Sequence, residues 1–330
     1  MMRTLTIALL CAILVAGCST GRLDGANLLQ SRTVPFDHPD TATALRHLRA
    51  LGANTVAIIV FLEQDAPDST AIRVSPAVTD AQLRAAIRTA RRQRLQVFVK
   101  PQFLVRDSWA GEVDPGDDAR WREWFDAYQA HLLKYARLAA AEGAQGFVVG
   151  TELRRASQRP EWADLIAAVR RDFPGTLSYA AHGLDGFQAY AHWHLLDLAG
   201  VTLYPALGPE PTRDAMRAHI DDSVRQLQQA AEHIDTPLWI TEIGIQSRAG
   251  AQLQPWEWRH VDHHAAPDPE LQADVIDLWL DALAGDWNRG TLVWAWSNDP
   301  HAGGPADRDY LLQNKPAEDV LRCHWLRRCP

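Results

Sequence analysis

"PLWITEIGIQS", residues 237–247, decides how the rest of the chain is read. Leu238, Trp239, Ile240 and Ile243 make a run that is apolar on both faces, as in a strand covered on either side by other elements. Within that run stands a carboxylate, Glu242. A charge removed from water without partners is costly or takes up a proton. A glutamate here therefore needs company where its strand gives way to a loop, and the question becomes what lies beside it.

Comparable runs recur along the chain at 23–29, 54–61, 95–101, 145–150, 176–181 and 200–205, and again at 290–297. Pro101 is expected to stop the third of them. Amphipathic stretches with helical period alternate with these runs: 38–52, 79–94, 117–142, 160–173, 189–198, 211–234, 269–283 and 315–321. Regular strand–helix alternation calls for a parallel sheet, and eight units closing on themselves predict an α/β chain folded as a single-domain (β/α)₈ TIM barrel. An open doubly wound sheet would show a Gly-rich phosphate turn after its first strand, and "GANLLQSRTVP" (25–35) supplies none.

The chain has 330 residues, 47% hydrophobic and 22% charged, an ordinary globular composition without low-complexity segments. Net charge is -8, and Lys and Arg are scattered, which argues against nucleic acid as a partner. Residues 1–17 read as a leader: a positive start at Arg3, then "LTIALLCAILVAG" (5–17), too short for a comfortable span. It ends in "LVAGC" (14–18), which resembles the lipobox of bacterial lipoproteins. That resemblance implies cleavage before Cys18, lipid on its thiol, a tether over 18–22, a folded domain over 23–330, and a cell-envelope location. Ser19 rather than aspartate after the cysteine points to the outer membrane. Beyond the lipidated Cys18, only Cys323 and Cys329 remain in the mature chain, and an even pair in an exported protein is expected to form a disulfide.

In a barrel of this kind chemistry gathers at the carboxyl ends of the strands. Glu152 follows the fourth strand in "GFVVGTELRR" (146–155), and Glu242 ends the seventh. Two carboxylates at one mouth are the equipment of a glycosidase, in which one protonates the leaving oxygen and the other attacks the sugar or activates water. Their environments must differ, so that one can hold a proton while the other stays charged.

"VGTEL" (149–153) resembles glycoside hydrolase family 113, retaining clan A enzymes whose characterised members are β-mannanases. "ANTVAIIV" (53–60), "VFVKPQ" (97–102), "LSYAAHG" (177–183), "HWHLLDLAGVTLYPAL" (192–207), "PLWITEIGIQSRAGAQLQPW" (237–256), "GTLVWAWSND" (290–299) and "KPAEDVL" (315–321) extend the resemblance over nearly the whole mature chain. It implies that Glu152 is the acid/base and Glu242 the nucleophile. Tyr204 would hydrogen-bond Glu242, Trp296 would floor the sugar at the cleavage point, and Lys100, Gln102 and His182 would contact sugar hydroxyls. The family pattern has His at position 102 and tends to Asn at 182, so substrate identity is less firmly implied than reaction type. A β-linked polysaccharide or oligosaccharide is expected, β-1,4-mannan first. The organism's own exopolysaccharide is the alternative, and retention of both carboxylates argues against a silent sugar-binding scaffold.

Among the thirteen tryptophans, Trp109, Trp256 and Trp258 fall in loops after the third and seventh strands, where rings can stack on sugars. Trp193 and Trp279 read as structural. Trp294 and Trp296 stand in one strand run, and only one of them is expected to face the barrel interior. Asn298, in "WSNDPHAGG" (296–304), is a further sugar-contact candidate. With Asp299 it could hold calcium, but a loop shaping the cleft is the simpler reading. The histidines of "WRHVDHH" (258–264) lack the carboxylate spacing of a known metal motif. No cofactor or metal is expected, and the protein is read as a monomer.

Overall fold

The computed structural model describes residues 21–258 and 264–328. Eight parallel strands form the barrel: β1 (Gly25–Leu29), β2 (Thr55–Gln64), β3 (Gln96–Val105), β4 (Gly146–Thr151), β5 (Thr176–His182), β6 (Leu198–Leu203), β7 (Leu238–Ile243) and β8 (Thr291–Ser297). Each pairs with the next in the chain, and β8 pairs back with β1, closing the ring as expected. A two-residue antiparallel strand, Arg73–Val74, rides on the upper part of β2.

The helices are α1 (Asp40–Ala50), α2 (Asp80–Arg92), α3 (Asp118–Ala141), α4 (Glu161–Asp172), α5 (Gly183–Ala189), α6 (Arg213–Ala231), α7 (Pro269–Ala282) and α8 (Ala317–Leu326). Thr79 caps α2 in a reciprocal capping box with Gln82. Asp117 and Asp268 cap α3 and α7 by accepting the Arg120 and Leu271 amides. The main core lies between the sheet and this helical ring. A second, smaller core fills the barrel's lower interior: Leu23, Ala57, Phe98, Val148, Ala180, Leu198, Trp239 and Leu292. No helix among the described residues is long and apolar enough to cross a membrane.

Two elements differ from expectation. Pro101 does not stop β3, because β2 and β3 pair residue for residue from Thr55–Gln96 to Gln64–Val105. The Pro101 carbonyl accepts from Thr151 Oγ1 at 3.2 Å, so its ring nitrogen faces β4 as well. The β3–β4 ladder involves only Phe98 and Val99, so no bond is lost to the missing N–H. The helix expected at 189–198 is instead α5 followed by a 3₁₀ turn, Trp193–Leu195. Trp193 and Leu196 are buried core residues, and their spacing mimics a helical face.

Cys323, on α8, is disulfide-bonded. Its expected partner Cys329 lies outside the described residues, as do the leader with Cys18 and the histidines 260 and 263.

Candidate active site

Strict alternation along β7 would send Glu242 out of the barrel, because Trp239 already points in. The register slips instead. Val201 pairs with Ile240, but the next residue, Thr202, pairs with Glu242. One extra residue on β7 turns the carboxylate to the interior, as a β-bulge does. There it is 4% exposed and meets donors on both oxygens. Lys100 Nζ and Gln102 Nε2 (2.9 Å) donate to Oε1, and the Tyr204 hydroxyl donates to Oε2 at 2.8 Å. Lys100 is itself fully buried and donates to Asn27 Oδ1 at 3.0 Å. Asn27 in turn donates to the Thr241 and Val293 carbonyls, at 3.0 and 3.2 Å.

Burial pushes the Glu242 carboxyl above its ordinary value, and the Glu152 charge adds to this, against the pull of Lys100 and Tyr204. Burial likewise lowers Lys100 against the pull of Glu242. The hydrogen bonding favours the anion, since a proton on either Glu242 oxygen would displace a donor. Burial and the Glu242 charge keep the Tyr204 phenol protonated.

Glu152 enters by a different device. Just past β4 its backbone adopts φ +56°, the left-handed region that costs a non-glycine residue of order 1 kcal/mol or more. Its amide donates to the Ala180 carbonyl at 2.8 Å, and its carbonyl accepts from Arg154 at 2.8 Å. The side chain lands on Thr202, whose hydroxyl donates to Oε1 at 2.6 Å, while His182 Nδ1 lies 3.3 Å from the same oxygen. Thr202 thus joins the two sites, as the register partner of one glutamate and the hydrogen-bond donor of the other. Burial raises the Glu152 carboxyl, but His182, Thr202 and the Lys100 charge outweigh it and hold the group below its usual range. Burial lowers His182, yet the Glu152 carboxylate outweighs it and holds the imidazole above its usual value.

The structure gathers Glu152, Glu242, Lys100, Gln102, His182 and Tyr204 at one mouth. It also changes several expected contacts. Lys100 lies beneath Glu242 with no exposed surface, so it supports the carboxylate rather than sugar hydroxyls. Trp296 is no sugar floor: it is fully buried, donates its indole N–H to the Ala44 carbonyl at 3.2 Å and packs edge-on to His47 of α1. The inward ring is Trp294, half-buried, with Lys100 Nζ 5.9 Å from its centroid. Asn298 is also committed elsewhere. It accepts from the Ser31 amide (2.7 Å) and donates to the Val34 carbonyl and Thr41 hydroxyl (2.9 Å each), locking the loop after β8 to the loop after β1.

Trp109 stands at the lip, its ring 4.6 Å from that of His182 and capped by the Arg154 guanidinium at 5.5 Å. In the loop after β8 Tyr310 sits edge-on to Tyr204, and its hydroxyl donates to the Pro255 carbonyl at 2.6 Å. Trp256, the residue after Pro255, is exposed. Asn27 and Thr202 were missed in the sequence. A lone Asn in the apolar "GANLL" was the available signal for the first; nothing in "VTLYP" marks the second. Among the described residues one group has metal-ligand geometry, Asp277, Asp281 and His324. It lies on α7 and α8, where Arg213 and Arg217 already pair with the aspartates.

The family model for Glycoside Hydrolase Family 113 matches residues 29–315. The chain is similar to the family 113 β-mannanase of Alicyclobacillus acidocaldarius, solved in complex with ManMIm. Identity is 26% and the TM-score 0.80, over 93% of this chain and 98% of that one. A family 113 β-1,4-mannanase structure matches at 25% identity and TM-score 0.81, over 93% of this chain and 100% of that one. A family 5 mannosidase from Rhizomucor miehei shares the fold at 11% identity and TM-score 0.63, over 93% and 92% of the two chains. No curated protein sequence matches the chain.

Proposed function

The chain belongs to glycoside hydrolase family 113 and is a retaining glycoside hydrolase; from that premise we propose that it cleaves β-1,4-mannan or its oligosaccharides, with Glu242 as nucleophile and Glu152 as acid/base. The observation that carries the assignment is Thr202, which holds Glu152 beside Glu242 across adjacent strands.

In the first step a Glu242 oxygen attacks the anomeric carbon while Glu152 gives a proton to the glycosidic oxygen, and the alcohol leaves. Glu152, now ionised, then takes a proton from water as that water displaces Glu242 from the sugar. The donors on Glu242 fit this cycle. They stabilise its charge before attack and after release, and Tyr204 remains on Oε2 to orient it. Trp294 supplies the apolar surface under the sugar ring.

Incubation of the domain from residue 23 with mannan, glucomannan, xylan and cellulose oligosaccharides tests the substrate. Mannan products released with retained anomeric configuration support the proposal; turnover of xylan or cellulose alone overturns it. Attachment through lipid on Cys18 is proposed from the leader sequence, and Cys18→Ala should move the protein from the membrane to the soluble fraction.

A further inference from the structure

We infer that His182 is the proton-holding partner of Glu152: between turnovers the pair keeps one proton, which passes from His182 Nδ1 to the Glu152 carboxyl and then to the departing oxygen. The inference rests on the reading of Glu152 as acid/base and extends it to a residue that does not itself meet the scissile bond.

Three observations carry it. His182 ends β5 and its Nδ1 lies 3.3 Å from Glu152 Oε1, within reach of a proton transfer. The imidazole is held in that pose by Trp109, whose ring lies 4.6 Å away and is itself backed by Arg154. Glu152 Oε1 already takes the Thr202 hydroxyl, so an imidazolium completes a carboxylate's shell there. The charged groups acting on His182 are Glu152 from the end of β4, Arg154 from the turn after it and Glu242 from β7. The two carboxylates favour the imidazolium and outnumber the guanidinium.

The pair therefore begins as imidazolium and carboxylate. As substrate closes the mouth and excludes water, separated charge is disfavoured and the proton moves to Glu152. Protonation of the glycosidic oxygen breaks the C–O bond as the Glu242–carbon bond forms, leaving Glu152 ionised and His182 neutral. In the second step the proton lost by the attacking water returns to the pair. Charge and atoms balance, and no further reactant is required. A purely sugar-binding His182 would leave Glu152 to retain its own proton near neutral pH, against the donors that favour its anion.

Two measurements on the intact folded domain test this. In protein labelled at its histidine imidazoles, the His182 resonance, identified by its loss in His182→Asn, should titrate above ~6.5, and Glu152→Gln should lower that midpoint by about one pH unit or more. This reading needs no substrate, so it stands apart from the mannan assignment. On manno-oligosaccharides the alkaline limb of kcat/KM should move towards acid in His182→Asn by roughly two pH units, the gap between an ordinary imidazole and an ordinary glutamic acid. An His182 midpoint indifferent to Glu152→Gln overturns the inference, and so does an alkaline limb unmoved in a folded His182→Asn enzyme. Loss of turnover with the limb in place marks His182 as a sugar contact only and overturns it too.

Discussion

The interior of this barrel changes character over a rise of two residues per strand. Phe98, Ala180 and Leu292 belong to a dry lower layer. Two positions further on the same strands stand Lys100, His182 and Trp294, and three positions past Trp239, beyond the bulge, stands Glu242. Both layers are built by the same inward alternation of strand side chains. In the lower layer any side chain of suitable volume serves, because its energy is non-directional burial. In the upper layer each group depends on a named partner, Asn27 on Lys100 and Lys100 on Glu242, and a buried partner lost is a buried charge or dipole exposed to nothing. Both layers hold the fold, one by burial and the other by pairing, and the chemistry belongs to the upper one.

Substitutions can break that division or sharpen it. Glu242→Gln should lower kcat/KM on manno-oligosaccharides by on the order of 10⁵-fold or more with an unchanged far-ultraviolet circular dichroism spectrum. Substantial residual turnover would remove Glu242 from the nucleophile's role. Lys100→Met leaves Glu242 buried beside an apolar chain, and at neutral pH should cost about 3–5 kcal/mol in denaturant unfolding. The sign with pH follows from Glu242 standing above its ordinary value. Such a carboxyl supports folding below its unfolded pKa and loses that support as pH rises through its folded one. The Lys100→Met defect should accordingly shrink at low pH and grow towards neutrality, and a second change, Glu242→Gln, should relieve it.

Trp239→Ala in the lower layer should also cost about 3–5 kcal/mol, but by opening a cavity. Its cost should be flat with pH, and kcat/KM of the folded fraction near that of the parent. A large catalytic loss there would mean that the two layers are mechanically coupled. Thr202→Val, nearly isosteric, removes one hydroxyl donor from Glu152 and should reduce kcat/KM by roughly tenfold while leaving the melting temperature within a few degrees.

The strand–helix alternation was legible because both-face burial and helical period are local properties of the chain. So were the two glutamates, which stand at strand ends where the mouth must be, while Tyr204 was reached through the family resemblance. Parity inside the strands was harder to read. Period two alone would set Trp294 and Trp296 on one face, but the register shifts on both sides of β8 part them, and those depend on the neighbours β1 and β7. Asn298 misled for a related reason. Its polar chemistry suits a sugar, yet its three partners come from residues 31–41, more than 250 positions away. Lys100 looked like a surface ligand because nothing local in "VFVKPQ" announces that Asn27 and Glu242 will enclose it.

The bonds from Asn27 carry a consequence for the order in which the molecule can be made. This first-strand amide is satisfied by carbonyls of β7 and β8, and it supports the lysine beneath Glu242. The reactive centre therefore has no partial version. A ribosome must release nearly the entire polypeptide before the earliest strand finds its last neighbours, and a fragment cut before residue 291 would carry both glutamates yet no working pair.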